Sequence, residues 1–347
     1  MNKKNIITTA ALCAILAAAA IAIFVTGQDR FSGDFFSALL YFFIGAAFWY
    51  LVHNVLHESF HAAFCAAFYG KITSVAFLGF SFNFYNGFKV RLALKSGYSG
   101  WTEFICKRPE KADVTLRAGL WGGLTGSLLT LTAIAAAYFL SAGFFAHYFV
   151  LSGIIPVVYM IAVNFAIKTA DQDGALLSFS PKGKRAFAMA AARLETESYL
   201  SQGKLLTNAY PVRMRAAYAF AREENGYDYL AALEKGDIKR AADILRAIES
   251  SGESANNGVI DVFNEKLFLS CVEKKDGAKQ DLEKFSPEIF GDDPDSLRAH
   301  YHYRKARGER AWSELLEKSY FKSCENVYLK GLKESYVEIG ARWIRGL

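Results

Sequence analysis

From Ala118 to Ile167 the chain runs fifty residues without an Asp, Glu, Lys or Arg. A helix needs about 20 apolar residues to cross a bilayer, so this run is long enough for two spans, with Ser141-Ala142-Gly143 as the turn between them. Two other stretches are alike: residues 5–28 carry no charged side chain and residues 35–70 carry only Glu58. Four spans are expected, near 5–27, 35–68, 118–140 and 145–167.

The 347 residues average 52% hydrophobic and 21% charged, which excludes disorder, collagen and coiled coil. That average conceals a division, because the second half is soluble and helical in pattern. Lys3 and Lys4 precede an alanine-rich core, as in a leader peptide. The core is longer than a leader's usual apolar region and no clear small-residue cleavage site precedes Gln28, so the first span is expected to stay as an anchor.

Basic residues set the expected orientation. Lys3 and Lys4 precede span one, Lys71, Lys89, Arg91, Lys95, Lys107, Arg108, Lys111 and Arg117 fall between spans two and three, and Lys168, Lys182, Lys184 and Arg185 follow span four. The other two turns have little or no positive charge. A multi-pass cell-membrane protein with both termini in the cytoplasm is expected, and its net charge of +6 is explained without nucleic acid as a partner. The odd, scattered set of five cysteines fits free thiols in a reducing compartment better than a disulfide framework.

Glu58 is the one carboxylate of the second span, and a charge at that depth costs several kcal/mol unless it is paired or functional. Its surroundings read His57-Glu58-Ser59-Phe60-His61, an H-E-x-x-H on a helix. Residues four apart lie above one another, so the two imidazoles can meet at one zinc ion, with Glu58 placed to take a proton from water activated there. Packing histidines paired with a glutamate are the plain alternative. His53, a turn earlier, is expected to be a packing or supporting residue, because three imidazoles in one helical row spread over about 12 Å. Zinc needs a third protein ligand, and the cytoplasmic end of span four offers Asp171 and Asp173 at about the right depth.

H-E-x-x-H on one span, with Asn164 and Asp173-Gly174 at the end of a later one, resembles the site-2 protease family of intramembrane zinc metalloproteases. Ala62, Gly70-Lys71-Ile72 leading into a strand, and the Gly119 to Gly126 segment resemble that family's flanks. The resemblance covers about residues 35–180. It implies one Zn2+ per chain on His57, His61 and Asp173, with Asp171 as the fallback ligand, Glu58 as general base and Asn164 at the substrate or oxyanion. The implied substrate is a membrane-anchored protein. The chain departs from the family pattern at Phe60, where Gly is common, at Ile167, where Pro is expected, and in an Asn164 to Asp173 spacing one residue longer than usual. An inactive relative, a pseudoprotease or scaffold binding transmembrane partners, is therefore the alternative.

Between spans two and three, Phe80, Phe82 and Phe84 alternate with polar residues, Asn86-Gly87 follows, and Val90, Leu92 and Leu94 alternate with Arg91 and Ala93. That is a hairpin signal over 79–94. It is expected to lie against membrane lipid, and either to hold an unwound substrate by strand addition or to be a plain surface hairpin.

Beyond 175 the pattern is helical. Tyr229 to Ile248, turning at Gly236-Asp237, resembles a tetratricopeptide-like helix pair, echoed over Tyr301 to Tyr320, and a protein partner for this domain is implied. His300 and His302 are expected at the surface. The fold class is thus an all-α polytopic membrane protein with a β-hairpin between spans two and three: a four-span metalloprotease core over 1–174 and a soluble helical domain over 175–347. A membrane di-iron oxidase is a remote rival, since such sites take about eight histidines and this chain has six.

Overall fold

The computed structural model describes residues 3–31, 34–85, 87–92, 100–141, 143–165, 180–209, 226–250, 260–272 and 291–346. Two compact units divide at Ala191, whereas the charge pattern puts the boundary at 174. The first unit is built from α1 (Lys3–Arg30), α2 (Phe35–Ala67), α3 (Ala112–Leu140) and α4 (Ile154–Phe165), the last led in by a π-helical turn over Ala146–Val150. Four stretches are long and apolar enough to cross a membrane: Ala10–Gln28, Phe35–Ala67, Pro109–Leu140 and Ala146–Phe165. The third starts earlier than the expected 118, because the helix continues through the charged residues Asp113 and Arg117. Charge marks where lipid can begin, not where a helix does.

Asp34 caps α2 by accepting from the Ser37 backbone N–H at 3.0 Å. Along α2 the buried positions Ala38, Phe42, Gly45, Trp49, His53 and His57 recur every three or four residues, while Phe36, Leu40 and Phe43 face outward. Imidazoles turned inward and Phe36, Leu40 and Phe43 turned outward reverse the pattern of a soluble helix.

Small residues of α3 let it approach α2 closely. A Cβ added at Gly126 would meet the Leu56 carbonyl oxygen at 2.7 Å, one at Gly119 would meet Cys65 Sγ at 2.5 Å, and one at Gly122 would collide with the Phe60 carbonyl.

Between α2 and α3 the chain forms an antiparallel sheet of order β3-β2-β1-β4, from β1 (Gly70–Phe77), β2 (Phe80–Asn83), β3 (Lys89–Leu92) and β4 (Gly100–Cys106). The expected hairpin is there, with Phe80 opposite Leu92 and Phe82 opposite Val90. Its strands are shorter than 79–94 implied, and they join a larger sheet. Sequence patterning missed β4, whose Gly100-Trp101-Thr102-Glu103 start does not alternate, because pairing with β1 rather than an apolar face holds it in place.

The second unit continues from α5 (Pro181–Ser201), which straddles the division, through α6 (Leu206–Ala209), α7 (Gly226–Lys235), α8 (Ile238–Ser250), α9 (Val262–Val272), α10 (Pro294–Ala306), α11 (Arg310–Cys324) and α12 (Lys330–Gly340). Both expected helix pairs form. α7 and α8 turn at Gly236, with φ +81°, and α10 and α11 turn at Gly308, with φ +77°, a left-handed backbone that favours glycine. Ala241 is fully buried where the pair packs.

The core of this unit holds an ionic cluster. Arg298 has no exposed surface; it pairs with Glu265 and lies 3.0 Å from Asp295 Oδ1, with its guanidinium over the Phe268 ring. Tyr336 donates to Asp295 at 2.8 Å and Tyr229 donates to Glu265 at 2.5 Å. His302 corrects the surface expectation: its ring packs edge-on against Phe268 at 5.0 Å, and burial pushes it down to about 3. Polar neighbours in sequence hid a face turned toward the core.

Two outcomes follow from this packing. Gly122→Leu forces α3 off α2 and is expected to cost about 1–3 kcal/mol, lowering the thermal midpoint in detergent, while Trp121→Leu on the outer face leaves it nearly unchanged. Burial raises Asp295 from 3.8 to about 8. The native carboxyl is then protonated where the unfolded one is ionised, so its contribution is whole below about pH 4 and is lost as pH rises to about 8. Asp295→Asn is expected to flatten that decline in a thermal melt series from pH 5 to pH 8.

Candidate metal centre

His57 and Glu58 are buried inside the first unit and His61 is half-buried one turn on. The His57 and His61 rings are nearly perpendicular, with centroids 4.6 Å apart, and their Nε2 atoms stand 3.1 Å from one another. Two nitrogens at this separation either share a proton or hold one cation between them. Two zinc ligands at tetrahedral angle lie about 3.3–3.4 Å apart, a few tenths of an ångström wider than this pair.

The other side of His57 is fixed by α3. Its Nδ1 lies 3.0 Å from the Gly123 carbonyl oxygen and 3.0 Å from Ser127 Oγ. A carbonyl oxygen only accepts, so Nδ1 carries the proton and Nε2 presents its lone pair toward His61. That is the tautomer a metal ligand needs, held by a hydrogen bond on the far nitrogen.

Glu58 is held by β4. Thr102 Oγ1 donates to Glu58 Oε2 at 2.8 Å and also lies 3.2 Å from the Glu58 carbonyl oxygen. Two residues earlier, Gly100 leaves room for the carboxylate: a Cβ there would meet Glu58 Cγ at 2.7 Å and Oε1 at 2.8 Å. The strand that reaches Glu58 is therefore β4, at the opposite edge of the sheet from β3. The 79–94 hairpin, expected either to clamp substrate or to be a plain surface hairpin, has its far strand β3 about 14 Å from β4, three strand spacings away.

Asn164 is half-buried near the end of α4, and the ring of Phe165 beside it is 6.3 Å from the His57 ring. Asp171 and Asp173, the expected third ligands, lie outside the described residues. Among the described residues no group of three His, Cys, Asp or Glu side chains is assembled to hold a metal. Among them, too, no hydrogen bond joins Asn164 to either imidazole.

The residues that sequence reasoning missed are Thr102, Gly100, Ser127 and the Gly123 carbonyl. Thr102 is 44 positions from Glu58, and no local pattern ties the two. Gly123 and Ser127 fall within the small-residue stretch of α3, which signals close approach but not a hydrogen bond.

Comparison with protein-family models, with curated proteins and with solved structures finds no match to this chain.

Metal analysis of the purified full chain is expected to find about one zinc per molecule. His57→Ala and His61→Ala are expected to lose it. Ser127→Ala should weaken binding about 10–100-fold, as loss of a supporting hydrogen bond does, and Thr102→Val should leave it unchanged.

Proposed function

We propose that this chain is a zinc-dependent intramembrane endopeptidase of site-2 protease type, cutting a membrane-anchored protein near the cytoplasmic face. The observation that carries the reading is the His57–His61 pair, converging at 3.1 Å with a base held beside it, inside helices long and apolar enough to cross a membrane. His57, His61 and Asp173 would hold the ion. Zinc, when bound, would polarise the scissile carbonyl and make water a nucleophile near neutral pH.

The protein's own groups do the rest. Glu58 takes the proton of the attacking water and returns it to the leaving amine. Thr102 fixes the plane of that carboxylate, so that it works as a base and does not fold back on the imidazoles. Asn164 orients the substrate or stabilises the developing oxyanion. A transmembrane substrate must first unwind, because its carbonyls are occupied within its own helix. β4 is an edge strand that contacts Glu58 and is better placed than the hairpin to receive an unwound segment by strand addition.

The second reading is a scaffold that binds transmembrane helices without cutting them. Ile167 favours it, since a proline there would free backbone beside the substrate. Glu58→Gln separates the two. Membrane-anchored proteins from cells carrying the wild type or the variant are compared by mass spectrometry of their termini. At least one is expected to accumulate uncut in the variant, at a rate lowered about 100-fold or more. Identical termini in both would leave the scaffold reading standing.

A further inference from the structure

One and two turns before His57, α2 carries a pair of buried polar side chains that the proposed hydrolysis does not use. His53 has no exposed surface and Trp49 is 7% exposed. Among the described residues, both imidazole nitrogens of His53 and the indole Nε1 of Trp49 are buried without a hydrogen-bond partner. The two residues are four apart and share a helix face, and the His53 ring stacks on His57 at 5.6 Å with 30° between planes.

The geometry says what can satisfy them. Near-parallel rings aim their lone pairs in parallel planes, so His53 cannot chelate an ion with His57 as the perpendicular His61 ring can. A cation is also the wrong partner chemically. The indole N–H and one imidazole N–H are donors, and only the remaining imidazole nitrogen accepts. Ile134, Val150 and Val157 pack in one cluster with Trp49 and carry no polar side-chain atom. Each buried group left unsatisfied keeps its full desolvation cost. Water is the smallest species that can accept from the indole and both accept from and donate to the imidazole, and a buried water needs two to four such partners.

We propose that Trp49 and His53 hold internal water inside the helix bundle, beside the ring that stacks on His57. Such water would be a local store of nucleophile for a reaction carried out at membrane depth, a role that rests on the hydrolase reading of the site. The water site itself does not.

The test is hydroxyl-radical footprinting by X-ray radiolysis on the full chain in nanodiscs, read by mass spectrometry, since buried aromatic side chains are oxidised only where water lies beside them. Trp49 and His53 are expected to label like Trp312, which is 51% exposed. Labelling no faster than that of the fully buried Tyr229 would overturn the proposal. His53→Leu should abolish Trp49 labelling, and His53→Gln should keep it. Should the leucine variant not fold, His53→Gln against Trp49→Phe makes the same comparison, with His or Gln oxidation as the readout. The supply role has its own arm. A His53→Leu protein that keeps its zinc and cleaves at the wild-type rate would leave the water structural and end the supply role. No cleavage difference between wild type and Glu58→Gln would end the hydrolase reading, while the labelling would still decide whether the water is there.

Discussion

The distance between α2 and α3 governs the first unit. Gly119, Gly122 and Gly126 leave no Cβ at the points where α3 comes nearest α2, and the Gly123 carbonyl and Ser127 hydroxyl come within 3.0 Å of His57. One larger side chain in that stripe would separate the helices and take both hydrogen-bond partners from the imidazole. Helix packing and the tautomer of His57 are therefore one constraint. In an apolar surrounding this matters more than in water, because solvent cannot replace a lost partner.

The sheet supplies the second half of the site by a different route. β1 leaves α2 almost directly, and β4 pairs with β1 along its length, so the chain is brought back beside the helix turn that carries Glu58. Thr102 then meets the carboxylate from outside the bundle while the imidazoles are held from inside it. Glu58 and the candidate ligands are adjacent in sequence, yet α3 holds His57 and β4 holds Glu58.

In the second unit a buried Arg298, Glu265, Asp295 and the tyrosines around them form a polar cluster inside a core that also buries Leu230, Leu233 and Leu267. Such clusters add little net stability, since desolvation offsets most of the attraction, but a wrong packing leaves a charge unpaired. The helix pairs α7–α8 and α10–α11 each turn at a glycine, Gly236 and Gly308, in the left-handed backbone.

Much of this was legible in the sequence for definite reasons. Charge-free runs marked the four long apolar helices because lipid excludes ions, and H-E-x-x-H placed two imidazoles together because the helix period is fixed at short range. Gly236-Asp237 marked its turn because few other residues adopt the left-handed backbone. Chain order alone could not show that Thr102 on β4 grips Glu58, that Gly123 and Ser127 orient His57, that His302 faces a core, or that Trp49 and His53 form an unpartnered polar pair. Each of these depends on which segment arrives beside which, often from more than forty positions away. Periodicity fixes the face of a helix, and only the packed structure decides what that face meets.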